Sequence, residues 1–308
     1  MISVCIPVYN VNIQNLISCF VLQVQKLEIP CELIIADDCS HSWINNLNRK
    51  HAEQFGVRYF SLPENIGRSA IRNFLTHKAQ YSNLLFVDCD SGIINENYLK
   101  MYIPYCGKNL VVYGGRVYQS QKPDKQFRLH WNYGRLRESR PLKERELYPT
   151  RFFQTNNFLI ERNILLKFPF DENIKHYGHE DTLLAVKLFQ NDIKVVHIEN
   201  PVLHEGLERD SDFISKAESA IRNLIIIDQL IPEVDVLTQH INLYKAFLTI
   251  RKLKLVALMN FGWKLTRQIL LFLIREYYLL KVLDIYKLGL LCNEYKKSTV
   301  RANDAFQK

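Results

Sequence analysis

Short apolar runs alternate with amphipathic stretches through roughly the first 200 residues. Ile2–Val8 is apolar and leads into Pro7-Val8-Tyr9-Asn10, and helix-spaced apolar positions follow at Ile13, Leu16, Ile17, Phe20 and Val24. Residues 32–36 read as a second buried strand, stopped by Asp37-Asp38-Cys39-Ser40. Residues 57–61 predict a third strand, and residues 69–77 a helix entered after Asn65-Ile66-Gly67. Residues 84–87 predict a fourth strand, which ends at Asp88-Cys89-Asp90. Strand, helix, strand in this order implies parallel strands joined by right-handed crossovers. The class is therefore α/β, an open and mostly parallel sheet with flanking helices. After residue 110 the alternation weakens. Val111–Tyr113 predicts a further strand, and residues 119–149 are basic, aromatic and poor in aliphatic side chains, which suits a functional loop or lid. Order returns at residues 158–166, at a helix over 182–189 and at a last strand over 194–198, with His204 placed after that strand. From about Asp212 the composition turns helical. These shifts predict a sheet domain over residues 1–210 and a helical region over residues 211–308.

Ligands of such sheets bind in the crevice outside the carboxyl ends of the strands. Polar residues stand at those ends repeatedly: Tyr9 and Asn10, Asp37 and Asp38, Asn65, then Asp88 and Asp90. Asp88 and Asp90 follow a buried strand two residues apart, so a local turn can aim both carboxylates at one point. Hard oxygens of this kind suit Mg²⁺ or Mn²⁺, which bridge diphosphate oxygens, although short acidic pairs also occur in solvated turns. Glu180-Asp181 comes after the glycine-bearing residues 176–179 and opens an apolar-periodic segment. The helix dipole alone favours acids there, but two consecutive acids also let one be held while the other takes a proton. His204, before Glu205-Gly206, is either a satisfied histidine or a ligand.

Composition changes the picture in three ways. The chain of 308 residues is 47% hydrophobic and 23% charged, a globular balance. Its 40 Lys+Arg against 32 Asp+Glu give a net charge of +8, which favours phosphorylated ligands or anionic lipid. No nucleic-acid-binding motif accompanies the charge, so nucleic acid is not an expected partner. Seven cysteines, an odd number without a CxxC pair, predict small buried apolar side chains in a reducing cytoplasm. The uncharged start of the chain reads as a strand rather than a secretory leader, and no stretch approaches the roughly 20 apolar residues that cross a bilayer. Residues 245–297 interleave Phe261, Trp263, Leu270, Phe272 and Tyr277 with Lys252, Lys254, Lys264, Arg267 and Arg275. That mixture suits helices at an anionic membrane surface, here the inner face of the plasma membrane. It equally suits a packed helical subdomain or a homodimer contact.

The motifs together resemble the family 2 glycosyltransferases, inverting enzymes with the GT-A (Rossmann-like) fold. Pro7-Val8-Tyr9-Asn10 is similar to the opening strand and Asp37-Asp38-Cys39-Ser40 to the nucleotide-binding Asp-Asp-x-Ser, with Cys39 where the family usually carries glycine. Asn65-Ile66-Gly67 through Arg72-Asn73 is similar to the next element, Asp88-Cys89-Asp90 to the metal-binding Asp-x-Asp, and Glu180-Asp181 to the acidic pair that supplies the base. The resemblance spans roughly the first 205 residues. It implies a UDP-sugar whose uracil bonds to Asp38 in a pocket shaped by Pro7 and Tyr9, with Asn65 and Gly67 beside it and Arg68 and Arg72 near the diphosphate. It implies Mn²⁺ or Mg²⁺ on Asp90, Asp88 and His204, and Asp181, next to Glu180, as catalytic base. A saccharide or lipid-linked acceptor, in bacterial surface polysaccharide or glycolipid synthesis, completes the implied reaction.

The chemistry fits these residue types on its own terms. Sugar transfer needs a base for the acceptor hydroxyl and charge stabilisation for the departing diphosphate. A phosphotransferase using Asp88 as nucleophile is disfavoured, because that pair normally follows a first strand and here follows a fourth, and no phosphate-binding glycine loop occurs. A processive membrane-embedded synthase lacks both its spanning helices and its Gln-x-x-Arg-Trp motif here. A catalytically inactive nucleotide-sugar-binding module is the remaining alternative.

Overall fold

The computed structural model describes residues 1–174, 177–231 and 234–306; His176 lies outside them. The described residues of 1–121, 134–175 and 180–206 form one compact unit, and those of 122–133, 176–179 and 207–308 a second.

The first unit is built on a seven-stranded sheet. In chain order it contains β1 (Ile2–Val8), α1 (Gln14–Val24), β2 (Cys31–Asp37), α2 (Ser42–Gln54), β3 (Arg58–Ser61), α3 (Gly67–Lys78), β4 (Asn83–Val87) and β5 (Ser91–Ile93). It continues with β6 (Val111–Tyr113) and β7 (Arg116–Val117). Within the second unit lies α4 (Arg128–Tyr133), and the first resumes with α5 (Leu142–Leu147), β8 (Asn157–Glu161), α6 (Arg162–Lys167), α7 (Glu180–Gln190), β9 (Val195–His197) and β10 (Val202–His204).

The strand order is β3-β2-β1-β4-β8-β6-β9. Strand β1 pairs in parallel with β2 and β4, as β2 does with β3 and β6 with β9; β8 alone runs antiparallel to its neighbours β4 and β6. Burial on both faces explains the continuous apolar runs. Ile2, Val4, Ile6 and Val8 of β1 pack with Ile17 and Phe20 of α1, whereas Cys5 joins Ile34, Phe86, Ile71 and Leu75 on the opposite face. Chain order reverses around β1, and this opens the crevice that ligands of such sheets use.

A second sheet, β5-β10-β7, carries part of the site. His204 is therefore inside a strand rather than after the last one, and it pairs directly with Ser91 of β5. Strands of two or three residues have too few positions to show a period. The helix α2 was likewise not among the predicted elements; its mean polarity hides Ile44 and Ala52, which are buried. Residues 119–149 are not one free lid: 122–133 belong to the unit of C-terminal helices, while 134–149 include a π-turn at Gly134–Glu138 and helix α5 in the sheet unit.

All seven cysteines are free, but only Cys5 and Cys292 are buried, and Cys39 is exposed. The other four are partly buried, so the expectation of small buried side chains holds fully for two of the seven. Cys39 has φ 61° in the turn after β2, a left-handed conformation that favours glycine.

A buried polar knot fixes the turn between β6 and β7. Asn157, fully buried, accepts from the hydroxyls of Tyr98 (2.5 Å) and Tyr102 (2.6 Å) and donates to the carbonyls of Gly115 (2.9 Å) and Asn200 (3.0 Å). Gly114 leaves no room for a side chain, since a Cβ there would sit 2.2 Å from the Tyr102 hydroxyl. Asn157→Ala is expected to lower stability by about 2–4 kcal/mol, because two buried hydroxyls and two buried carbonyls lose partners at once. An unchanged urea midpoint would contradict this reading of the knot.

The second unit continues with α8 (Asp210–Leu230), α9 (Val234–His240), α10 (Asn242–Lys252), α11 (Val256–Tyr277) and α12 (Leu280–Phe306). Helix α12 packs along α11 and α8. Gly289 of α12 lies against Trp263 of α11, where an added Cβ would come within 2.3 Å of the indole.

Candidate active site

Asp38 follows β2 and ties two motifs together. Its Oδ1 accepts from the Ile66 amide (2.7 Å) and its Oδ2 from the Gly67 amide (3.0 Å), capping the first turn of α3. The Asn65 amide group donates to the Asp38 carbonyl (3.1 Å). Burial pushes the Asp38 carboxyl up, and the two amides oppose that shift. Pro7 lies in β1 and Tyr9 just beyond its end, with the Tyr9 ring exposed.

Helix α3 then presents two arginines to different partners. Arg68 donates from Nε to Glu180 Oε1 at 2.6 Å and places Nη2 3.7 Å from Asp88 Oδ2. Arg72 is 2% exposed, donates to Asp88 Oδ1 at 2.6 Å, and lies over the Phe170 ring. It reaches the crevice only through Asp88, whereas Arg68 is partly open to solvent. A third guanidinium, that of Arg116 on β7, stands 3.8 Å from Asp88 Oδ2 and donates to Glu138 at 3.1 Å.

The two acids after β4 have different nearest partners, although the charges of Arg68 and Arg116 act on both. Asp88 is enclosed by three arginines, which disfavours direct metal ligation. Asp90 faces His204 instead, with Oδ2 3.5 Å from Nδ1. The pairing of β5 with β10 produces this approach, and the Asp90 carbonyl accepts from the Glu205 amide (2.9 Å). Gly206 permits it, because a Cβ there would lie 2.6 Å from Asp90 Oδ2. Burial pushes the Asp90 carboxyl up, but the His204 ring and the Arg116 and Arg68 charges outweigh it and hold the group below its ordinary range.

Among the described residues Asp90 Oδ1 is buried without a hydrogen-bond partner. An orphan carboxylate oxygen beside an imidazole suits a small divalent cation. Among the described residues no cluster of three or more acidic, histidine or cysteine side chains forms a complete metal cage. The donor set therefore fits an ion whose remaining positions go to water and phosphate oxygens, as is usual for Mg²⁺.

Glu180 and Asp181 open α7 and diverge electrostatically. Burial raises the Glu180 carboxyl, yet the Arg68 and Arg72 charges overcome this and leave it lowered. Asp181 is pushed up to about 6, first by burial and then by the Glu180 charge, against the Thr182 amide that donates to its Oδ1 at 2.7 Å. Among the described residues Asp181 forms no ion pair.

Arg116, Tyr118 and Glu138 carry no motif and were not among the expected residues. Tyr118 donates to Glu138 and sets its ring edge-on to His204 at 5.1 Å. The pair Gly114-Gly115 just before β7 was the available signal, since paired glycines mark a tight turn that aims the next side chains. A groove of about 980 Å³ along the outer side of α3 is lined by Asn65, Gly67, Asn73, Phe170, Glu172 and Lys187, but not by Asp88, Asp90, Asp181 or His204.

The sequence profile of glycosyl transferase family 2 matches residues 3–169, more than half of the chain. The protein belongs to glycosyl transferase family 2. The matched span includes Asp38, Arg68, Arg72, Asp88 and Asp90, while Glu180, Asp181 and His204 lie beyond it. An uncharacterized glycosyltransferase of Haemophilus influenzae is 27% identical over 202 residues, covering 64% of this chain and 76% of that protein. Two solved structures share the fold of this family 2 glycosyltransferase. The mannosyltransferase PcManGT from Pyrobaculum calidifontis, in complex with GDP-Man and Mn²⁺, superposes with a TM-score of 0.56 at 14% identity, over 95% of this chain and 86% of that one. S. aureus TarS 1–349 in complex with UDP gives 0.51 at 18% identity, over 96% and 91%. Both agree in fold with the mostly parallel sheet expected from the strand pattern and with the GT-A fold that the resemblance implied.

Proposed function

We propose that this glycosyltransferase is an inverting, metal-dependent enzyme that moves a sugar from a UDP-linked donor to an acceptor hydroxyl. The acceptor is a saccharide or a lipid-linked saccharide of a bacterial surface polysaccharide or glycolipid. Catalysis lies within residues 1–210, on the cytoplasmic side of the plasma membrane. One observation carries the reading: Arg68 joins Glu180 and Asp88, so one acid of the α7 pair and one of the acids after β4 meet at a single guanidinium.

Asp38 caps α3 with one lone pair of each oxygen and keeps others for the imide N–H of uracil. Pro7 and Tyr9 flank the base, and Asn65 and Gly67 hold the turn that Asp38 caps. Arg68 turns its exposed side to the diphosphate, while Arg72 acts as a positioning residue by fixing Asp88. Asp90 and His204 would hold Mn²⁺ or Mg²⁺, which supplies charge neutralisation at the leaving diphosphate when bound. Asp181 takes the acceptor proton, and Glu180, held ionised by Arg68, keeps the Asp181 carboxyl basic enough for that task. A single base on the face opposite the leaving group yields inversion by one displacement, as in inverting glycoside hydrolysis.

The pH profile tests this division of labour. Asp181 works only when ionised, and a carboxyl at about 6 is half protonated at that pH. Turnover is expected to rise with pH through about 6 and to fall roughly tenfold per unit below it. A profile flat between roughly pH 5 and 7 would remove Asp181 as the base.

A further inference from the structure

Helix α11 buries one side and leaves the opposite side bare. Asn260, Trp263 and Ile274 are buried, Trp263 against Gly289 and the Tyr286 ring of α12. On the other side Leu258, Phe261, Leu265, Ile269 and Phe272 recur every three or four residues and are each 58–67% exposed. They form one apolar stripe about 21 Å long, unlike the singly scattered hydrophobes of ordinary surfaces.

The charge around the stripe is of one sign. Residues 245–281 hold eight Lys and Arg and a single acid, Glu276, which is paired with Lys125 at 2.8 Å. Lys264 stands three residues after Phe261 and Arg275 three after Phe272, the spacing of neighbours on a helix surface. Both are exposed, as are Lys252, Lys254 and Lys281 at the two ends of the helix.

We infer that α11 is a membrane-docking helix that lies flat in the interface of an anionic bilayer, with this stripe among the acyl chains and the bordering cations on headgroup phosphates. Charge selects this occupant. A second copy packed stripe to stripe would bring two like-charged borders together with no unpaired acid in either segment to neutralise them, whereas anionic lipid complements them. No helix, among the described residues, is long and apolar enough to cross a membrane, so the stripe is suited to lie along one. The stripe holds none of the residues of the chemistry proposed above and would persist in a catalytically dead chain.

The experiment is sedimentation of the full chain with vesicles of phosphatidylcholine alone or mixed equally with phosphatidylglycerol. Binding to the mixed vesicles is expected at low salt, at least about tenfold weaker with pure phosphatidylcholine or in about 0.5 M salt. Leu265→Glu with Phe272→Glu should weaken it by at least about 100-fold, and Lys264→Glu with Arg275→Glu by about tenfold or more. All four side chains are exposed, so both variants should melt like wild type. Equal binding of wild type and the Leu265/Phe272 variant would overturn the inference, as would equal binding to both vesicle types. A dimer in light scattering that the same two substitutions dissociate would overturn it in favour of a second copy. UDP-sugar hydrolysis without vesicles separates the two accounts: loss of vesicle binding with hydrolysis intact rejects only the docking surface, and vesicle binding without hydrolysis rejects only the enzymatic reading.

Discussion

Asp181→Asn is expected to lower turnover by about 10²–10⁴-fold, the range typical of a missing general base, while UDP-sugar affinity stays within roughly threefold of wild type. Asparagine keeps the shape and can still accept from the Thr182 amide, but it cannot take a proton. The fold should gain from the change. With its carboxyl raised to about 6 from an ordinary 3.8, Asp181 contributes stability that is fully present below the ordinary value and lost as pH rises through about 6. The neutral isostere keeps that contribution at neutral pH, a gain of up to about 3 kcal/mol. Steady-state kinetics beside urea denaturation read both effects. Near-normal turnover would remove Asp181 from the chemistry, and a destabilised variant would mean that the turnover loss reflects damage to α7.

Asp90→Ala is expected to act on the donor. Substitution removes the carboxylate oxygen that has no hydrogen-bond partner among the described residues and leaves only the His204 ring of the candidate metal ligands, so Mn²⁺ should no longer tighten UDP binding. The expected loss in kcat/KM is about 10³-fold or more, the scale set by removing a charge-stabilising group at a developing anion. Calorimetric titration of UDP with and without Mn²⁺ checks it. Identical metal-dependent affinity in wild type and variant would refute the assignment of Asp90.

Much of the sheet was legible because β1, β2 and β4 are buried on both faces and therefore write uninterrupted apolar runs, each closed by the polar residues that meet the crevice. Arg68 was named only through the family resemblance, whereas Asp38 and Asp90 were singled out by this logic, since strand ends are where such folds bind ligands. The strand holding His204 was not, because three residues cannot display a period. Nor could spacing alone reveal that Asp88 pairs with the arginines of α3 while Asp90 faces His204 of β10, with Arg116 of β7 acting on both. Glu138 was unreadable for the same reason, since tertiary packing brings its π-turn to Tyr118, for which the preceding Gly114-Gly115 pair was the available signal.

The central claim is one displacement driven by one base, and the anomeric outcome tests it without knowledge of the acceptor. A nucleotide sugar chosen by thermal shift would be hydrolysed with Mn²⁺, with water standing in for the acceptor, and the first sugar released would be followed by proton NMR before it mutarotates. The account predicts that an α-linked donor releases the β-anomer and that Asp181→Asn abolishes the signal. Initial release of the α-anomer would contradict it.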